Sequence, residues 1–539
     1  MGDEEEISGI PVAGSDLEAE ANEDELWDDE IEAIASNAKS LALDNSKPFD
    51  VHRWSDHPEV GGFVDIIYDD HFQVRKTNIR KKHLGVLLLD LYVAWSEDPS
   101  IVIAIHRNKN AYKAKTRYNE LHISWLTIEI LDKLIEAGLV RQEIGFYDRD
   151  KSRGKISRIR ASDNLIELFR EARFSVFDIG CHKDRLSVVL RRKDPKPKKN
   201  KDIDYEPTEA TERMSAVLNN YNNLIASTFI DIPSLEDPWI ETTDNGKSSK
   251  IHVNQSSKYV RRIFNRGSFE CGGRFWGGWW QRCPSKWRPH IFINNKPTTE
   301  IDYSGLHVIM LYAREGVDYW EEVGSDPYGI PKPEFLDSEL QARQVTKSLL
   351  LLLLNAKNTK LAYSAFRNKA NAGSHEQRLN DTQLAEVQRL IEDKHPVIAE
   401  YFGADAGVTL MNQDSRITEI ILENFVSRSV PVLSIHDSYI IQVGREDELI
   451  EIMDFAFEQV MGMPLTAHNA QAMKEQSARV EDLEAAMMAW MPYENIPWQD
   501  ENEKALKARC YPERSKRYEK SWNLFQEWIK SRDDIKKEG

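Results

Sequence analysis

The chain has 539 residues and a formal net charge of −18, and 41% of its residues are hydrophobic. This length predicts roughly two to four domains with full apolar cores. The longest apolar run, 349–354, is too short to cross a bilayer, and the acidic start lacks the apolar segment of a secretory signal. No membrane association is therefore expected.

The cysteines point to a reducing compartment. Cys181, Cys271, Cys283 and Cys510 are scattered along the chain and form no CxxC pair. This spacing disfavours a zinc site or a disulfide framework, so a cytoplasmic location is predicted.

Residues 1–50 are predicted to form an acidic disordered tail, because they contain about 16 acidic side chains against two lysines and few aromatic rings. A solubilising arm is one interpretation. A partner-binding arm around Leu26 and Trp27, or an arm that mimics nucleic acid, remains open. Since the tail carries most of the negative charge, the net charge does not exclude nucleic acid as a partner of the folded part.

Residues 51–191 show a pattern of helices followed by a hairpin, which resembles a winged helix-turn-helix domain. Helices are predicted at 84–95 and 124–137, with Gly138 as a C-cap, and strands at 139–147 and 155–160. The hairpin that would form the wing carries cations suited to phosphate contacts: Arg149, Lys151, Arg153 and Lys155. The helix that would read bases is mostly apolar, so DNA binding and protein contact both stay open.

The next two segments mark a boundary and a candidate surface. Residues 192–206 are rich in Lys and Pro and are predicted to be a basic linker. Between 258 and 290, arginines alternate with aromatic residues. This composition suits either a surface that follows a nucleic-acid strand or a Trp-rich core.

Three stretches carry candidate chemistry. In 299–313, a strand pattern changes to a helix pattern just after Asp302, which either caps the helix or binds a metal. In 343–355, a helix places Arg343, Lys347, Leu351 and Asn355 on one face, either for a triphosphate and base or simply within a core. In 430–442, a hairpin places Asp437 at its tip, where it could join Asp302 in a site for two divalent ions.

Six short segments occur in an order that resembles family A nucleic-acid polymerases, most closely the single-subunit RNA polymerases of phages and mitochondria. They are ECGGRFW at 270–276, DYSGLH at 302–307, DPYGI at 326–330, RQVTK at 343–347, NQDSRIT at 412–418 and IHDSY at 435–439. The resemblance covers about 261–445 and implies an α+β fold class with a right-hand palm–fingers core. It implies a thumb or template-binding region at 207–298, palm at 299–334 and 426–475, and fingers at 335–425. The residue pattern of 476–539 separately predicts a helical C-terminal region, with an amphipathic helix at 480–490.

The resemblance also implies roles for individual residues. Asp302 and Asp437, with the carbonyl of Tyr303, would bind two Mg²⁺ ions, with Mn²⁺ as a substitute. Arg343 and Lys347 would bind the triphosphate, and Lys347 would also protonate the leaving pyrophosphate. The nucleotide site would further include Leu351, Asn355, Tyr303 and His307, while the template and product strands would contact Arg274, Tyr328, Gln413 and His436.

Three positions depart from the family pattern and leave the sugar preference open. The family commonly has an aromatic residue at the position of Leu351 and a tyrosine at that of Asn355. Repair-type DNA polymerases carry a glutamate, which blocks a 2′-hydroxyl, at the position of His307. The wording of the motifs favours ribonucleotides.

These patterns predict a DNA-templated nucleotidyltransferase that joins nucleoside triphosphates to a growing strand by two-metal catalysis, with an RNA polymerase or primase favoured. Its partners would be a DNA template, the nascent RNA or DNA strand and nucleoside triphosphates, with replication or mobile-element proteins as further candidates. One alternative is a family A-type DNA polymerase. The other is a non-catalytic DNA-binding or replication-initiator protein on a decayed polymerase scaffold.

Overall fold

A computed structural model describes residues 46–72, 77–112, 114–148, 153–193, 200–244, 247–465 and 512–538. Most of the predicted tail, the wing residues Arg149 and Lys151, and a helix predicted at 480–490 lie outside this described part. The chain mixes helices and strands, as the predicted α+β class requires. None of the described helices is long and apolar enough to cross a membrane.

The smaller, N-terminal unit is built around one apolar core formed by residues between Val60 and Ile179. Its elements are β1 (Ser46–Pro48), β2 (Arg53–Trp54), α1 (Pro58–His71), α2 (Thr77–Glu97), β3 (Val102–Ile105), α3 (Leu126–Glu136), β4 (Val140–Glu143), β5 (Phe146–Asp148), β6 (Arg153–Lys155), β7 (Ser157–Ala161), α4 (Asp163–Glu171) and β8 (Gly180–Cys181). Four of its strands form a sheet in the order β1-β3-β7-β4.

The predicted hairpin of this unit is observed, with each arm interrupted. Strand β4 pairs antiparallel with β7, and β5 pairs antiparallel with β6. Strand β1 pairs in parallel with β3, so the folded unit begins ahead of the predicted boundary at residue 51.

The larger unit has a separate core that runs from Val188 to Leu465. Its elements are β9 (Val188–Lys193), β10 (Asn200–Asp202), α5 (Glu209–Ala226), β11 (Ile230–Asp231), β12 (Trp239–Asp244), β13 (Lys247–His252), β14 (Arg261–Phe264), β15 (Gly272–Trp276), β16 (Phe292–Ile293), β17 (Lys296–Asp302), α6 (Leu306–Arg314), α7 (Tyr319–Glu322), α8 (Glu339–Asn355), α9 (Thr359–Lys369), α10 (His375–Arg378), α11 (Asp381–Lys394), α12 (Gly407–Ser427), β18 (Leu433–Ile435), β19 (Ser438–Gln442) and α13 (Glu446–Met461).

Two sheets organise the larger unit. An antiparallel sheet has the strand order β11-β16-β17-β19-β18, and a mixed sheet has the order β10-β9-β14-β15. The predicted strand-to-helix change after Asp302 is observed, because β17 ends there and α6 follows Gly305. Gly305 has φ +84°, a conformation that favours glycine.

Two predicted divisions of the chain do not coincide with the boundaries of its sheets. Residues 192–193 and 200–202, which were predicted to be in a linker, lie in strands β9 and β10 and pair with each other. The segment 207–298 does not form a separate region, because its strands β11 and β16 belong to the sheet that carries Asp302. Local composition missed the first pairing because Lys and Pro dominate the segment between β9 and β10, and it missed the second because β11 and β16 are far apart in the sequence.

The last described helix, α14 (Lys516–Glu538), joins the two units. Its Tyr518 Oη donates a hydrogen bond to Asn295 Oδ1 (2.8 Å), and its Trp528 Nε1 donates one to Asp178 Oδ1 (2.7 Å). Arg517 also forms an ion pair with Asp231 (2.6 Å). The helix therefore contacts both units through polar and aromatic side chains.

Candidate active site

Asp302 and Asp437 lie side by side at one end of the antiparallel sheet. Asp302 ends β17 and is paired with Ser438 of β19, and Asp437 is the residue just before Ser438. The backbone N–H of Tyr303 donates to the carbonyl of Asp437 at 3.4 Å. Strands β18 and β19 form the predicted hairpin, with Asp437 in its two-residue turn. Asp437 is buried and Asp302 is partly buried, so the pair occupies a sheltered position.

The turn that carries Asp437 has an uncommon backbone. His436 has φ +54°, a region that few residues other than glycine adopt. The preceding strand is fixed because Trp280 Nε1 and Gln281 Nε2 both donate to the carbonyl of Ser434, each at 3.2 Å. Conformations of this kind persist where the surroundings fix them, and they cluster at functional sites.

A buried hydrogen-bond network connects the two strands behind the aspartates. Ser438 Oγ donates to Glu300 Oε1 at 2.6 Å, and Arg288 Nε donates to Glu300 Oε2 at 2.9 Å. Charge-assisted bonds of this type hold side chains in a defined geometry. The register between β17 and β19, and hence the spacing of Asp302 and Asp437, is reinforced by this network.

Arg274 of β15 connects three elements next to the aspartates. Its Nε donates to Asp414 Oδ2 of α12 at 3.0 Å, and its Nη2 donates to His307 Nε2 of α6 at 3.4 Å. Asp414 is buried, and burial raises the pKa of its carboxyl while Arg274 opposes that rise. The adjacent Trp276 ring lies 4.8 Å from the His436 ring, in an edge-on arrangement.

Both histidines of the site are neutral at neutral pH. Burial lowers the pKa of His307 to about 3, and the positive charge of Arg274 contributes to this shift. Burial also lowers the pKa of His436 well below its ordinary value, and Arg274 and Arg288 add to this effect. The imidazoles can therefore exchange hydrogen bonds with a ligand without adding positive charge beside the aspartates.

The N-terminal half of α8 presents the two predicted phosphate-binding cations. Arg343 forms an ion pair with Asp326 through Nε (2.8 Å), and its side chain is about one-third exposed. Lys347 is buried. The Tyr328 ring lies 5.6 Å from the Arg343 guanidinium and 5.4 Å from Lys347 Nζ, so one ring contacts both cations.

The segment 325–330 lies between α8 and the turn after Asp302. His395 Nε2 hydrogen-bonds to the carbonyl of Pro327 (2.8 Å), and Lys394 Nζ donates to that of Gly329 (2.8 Å). A Cβ added at Gly305 would lie 2.9 Å from Pro327 Cγ. This close approach shows that the segment carrying Tyr328 packs against the turn that follows Asp302.

The other predicted nucleotide residues, and Gln413, which was predicted to contact the strands, have partners within the protein. Asn355 Nδ2 donates to the carbonyl of Leu351, and a Cβ at Gly407 would lie 1.9 Å from Asn355 Oδ1. Leu351 is buried. Gln413 accepts a hydrogen bond from Arg314 Nη2 (2.6 Å). The Tyr303 hydroxyl donates to the carbonyl of Met453 (2.6 Å), so only the backbone of Tyr303 is left for a ligand.

The donor set fits magnesium. Within the described part of the chain, no group of three or more His, Cys, Asp or Glu side chains is arranged for a metal. The predicted ligands to weigh are Asp302 and Asp437. Two carboxylates with an adjacent backbone carbonyl are hard oxygen ligands, which Mg²⁺ prefers, and Mg²⁺ usually completes its shell with water and phosphate oxygens. Asp302, Asp437 and the carbonyl of Tyr303 are therefore suitable ligands.

The sequence reasoning missed three residues that the structure brings to the site: Asp326, Asp414 and Trp276. Asp326 and Asp414 each lie one or two residues from a predicted contact, Tyr328 or Gln413. An acidic residue inside each motif was a signal that could have suggested a partner for a nearby arginine.

Comparison with protein-family models, with curated proteins and with solved structures found no match to this chain.

Proposed function

We propose that the chain is a DNA-templated nucleotidyltransferase that extends a nucleic-acid strand with nucleoside triphosphates, with ribonucleotides favoured. The observation that carries this proposal is the adjacency of Asp302 and Asp437, which are 135 residues apart in the sequence and neighbours in the sheet. A carboxylate pair without cations is repulsive, so a divalent metal explains why it is kept.

Each residue of the proposed site has its own role in the reaction. When bound, Mg²⁺ lowers the pKa of the attacking 3′-hydroxyl and neutralises charge on the departing pyrophosphate. Asp302 and Asp437 hold the ions, and Arg343 and Lys347 contact the triphosphate oxygens. Lys347 donates a proton to the pyrophosphate as it leaves. His436, neutral and beside Asp437, orients the end of the growing strand, and Arg274 and Tyr328 contact the paired strands.

The right-hand core is part of this proposal. Helix α8 would belong to the fingers, and the sheet that carries the two aspartates, together with the Tyr328 segment, would belong to the palm. Six motifs in the family order support this assignment.

The proposed sugar preference rests on Asn355, at the end of α8, and on His307. Asn355 bonds within its own helix and His307 bonds to Arg274. These two positions therefore lack the tyrosine and the glutamate with which family members select the sugar of the nucleotide. The proposal therefore includes weak discrimination against ribonucleotides.

The N-terminal unit is proposed to be a winged-helix-like module. Its α3 carries three acids, Glu129, Asp132 and Glu136, on the side where Trp125 and Lys133 are exposed. These acids pair with Arg80, Arg107 and Lys133, so the charge of this face decides between neither DNA binding nor protein contact.

The test is extension of a labelled primer on a DNA template with Mg²⁺, with rNTPs and dNTPs in separate reactions and a lane without primer. Product with rNTPs that is lost in Asp302→Ala supports the proposal, and product with dNTPs alone indicates a DNA polymerase. No product from a folded protein that still binds DNA supports the rival, a DNA-binding or initiator protein on a decayed scaffold.

A further inference from the structure

The sheet β10-β9-β14-β15 has two faces of different character. Val188, Leu190, Phe264 and Phe275 point into the main core. Because neighbouring residues of a strand point to opposite faces, Arg191, Arg261 and Trp276 lie on the other face. Arg262 lies on the core face, where it is paired with Glu419 (2.6 Å).

Arg261 differs from the arginines around it. Arg191 forms an ion pair with Asp202 (2.8 Å), and the Arg185 guanidinium lies over the Tyr259 ring at 4.0 Å. Arg261 is partly buried, and among the described residues no carboxylate lies within ion-pair distance of it. Burial lowers the pKa of Arg261, and the charges of Arg185 and Arg191 lower it further while Asp202 opposes them.

A guanidinium held between like charges is unfavourable in the free protein. Each charge moved out of water costs free energy, which a partner of opposite sign offsets. Arg191 is bonded to Asp202 and Arg185 lies near Asp50, whereas Arg261 forms no ion pair with the described residues. An anion from outside the chain would therefore neutralise the charge of Arg261.

The position of Arg261 indicates which anion. Arg261 is directly opposite Trp276 in the β14–β15 pair, and the Trp276 ring contacts His436, which precedes Asp437. One line of side chains thus runs from Arg261 to the candidate active site. Arginine binds phosphate oxygens through several donors in a fixed plane.

We propose that Arg261 binds a backbone phosphate of the growing strand, upstream of the 3′ end that His436 orients. This inference rests on the proposed function, because it requires a strand to be present at the two aspartates. Arg185 and Arg191 strengthen the positive potential at this phosphate, while Trp276 supports the strand between the phosphate and the active site.

The test compares Arg261→Gln with Arg389→Gln, a matched control on α11 that is exposed and paired within its helix. Binding of a labelled primer–template and of the template strand alone is measured by fluorescence anisotropy in EDTA, so that catalysis is not needed. Arg261→Gln is expected to weaken primer–template binding roughly five- to tenfold at about 0.1 M salt and to lower the salt slope by about 0.7–0.9. The control stays within about twofold, and binding of the template alone is unchanged.

Thermal unfolding without nucleic acid separates binding from structure. Removing one of three like charges should leave the melting temperature of Arg261→Gln unchanged or raised. Equal primer–template affinity, an equal loss on the template strand alone, or a lowered melting temperature with unchanged affinity would overturn the inference. If the wild type binds no primer–template, the proposed function itself fails. If it extends primers and Arg261→Gln binds them equally well, only this inference fails.

Discussion

The two folded units differ in where they keep their charged side chains. In the larger unit, Asp437, Arg274 and Asp414 are buried close together with two neutral histidines. On α3 of the smaller unit, Lys133 pairs with Glu136 within one turn, and both are mostly exposed. Buried charges cost several kcal/mol unless they are paired, so they are kept where a function needs them.

One buried ion pair in the smaller unit has a structural role. Arg53 bonds to Asp90 (3.2 Å), and it also reaches the carbonyl of Ser256 in the larger unit (3.3 Å). These contacts pair the Arg53 guanidinium and connect the two units. In the larger unit, Arg274 of β15 pairs with Asp414 of α12 (3.0 Å) next to the turn that carries Asp437.

The largest effect of a substitution is expected in the larger unit, at Lys347. Lys347→Ala should lower the single-turnover rate of nucleotide addition roughly a hundredfold, because it removes the proton donor and a phosphate contact. Rapid-quench kinetics measure this rate. Lys360→Ala, an exposed lysine on α9, is the control and should retain the wild-type rate. Equal rates for both variants would contradict the role of Lys347.

A second prediction concerns acid sensitivity in the larger unit. The folded-state pKa of His307 is lowered to about 3, so the unfolded chain binds a proton first as the pH falls below about 6.5. The wild type should therefore lose stability between about pH 6.5 and pH 3, at up to about 1.4 kcal/mol per pH unit from this group.

His307→Gln should lack the loss of stability on acidification that His307 causes in the wild type. Urea unfolding at pH 7 and pH 5 compares the two proteins. The stability difference between pH 7 and pH 5 should be smaller in the variant by up to about 2 kcal/mol. An identical difference in both proteins would mean that His307 is not held neutral.

Asp326 should compete with the triphosphate for Arg343. Asp326→Asn keeps the acceptor oxygen and removes the charge, so the KM for the nucleotide should fall by up to about fivefold, the range for a partly exposed ion pair. Steady-state extension assays with a fixed primer–template measure this change. A raised KM would show instead that Asp326 positions Arg343 for binding.

The smallest effect is expected on α3. Lys133→Ala removes an exposed cation from a mostly acidic helix, so DNA affinity should change by less than about twofold. Anisotropy with double-stranded DNA measures it, and Arg261→Gln provides the comparison from the larger unit. A loss comparable to that of Arg261→Gln would show that this helix contacts the phosphate backbone.

Much of the fold near the site could be predicted because the signals are local. The strand ending at Asp302, the helix containing Arg343 and Lys347, and the hairpin with Asp437 each follow from apolar spacing over fewer than 20 residues. The alternation of arginine and aromatic residues at 258–290 was ambiguous, and Trp279 and Trp280 lie in the core.

The contacts that shape the site could not be predicted in the same way. Arg274 bonds to Asp414, which is 140 residues away in sequence, and no local pattern specifies such a partner. The arrangement at Asn355 depends on how closely α8 approaches Gly407, which is a matter of tertiary packing. Strands β9 and β10 were missed because Lys and Pro dominate the segment between them.

The central claim is that Asp302 and Asp437 together hold divalent metal for nucleotide addition. The most direct measurement is the thermal shift produced by Mg²⁺ and nucleoside triphosphate in the wild type and in Asp437→Asn, with Asp393→Asn on α11 as an exposed control. We expect a rise of a few degrees in the wild type and the control, because a ligand that binds only the folded state stabilises it. We expect no rise in Asp437→Asn, although its metal-free melting temperature should be unchanged or higher since a like-charge repulsion is removed. An equal rise in Asp437→Asn would contradict a metal site on this pair, and no rise in any of the three proteins would favour a scaffold without catalytic function.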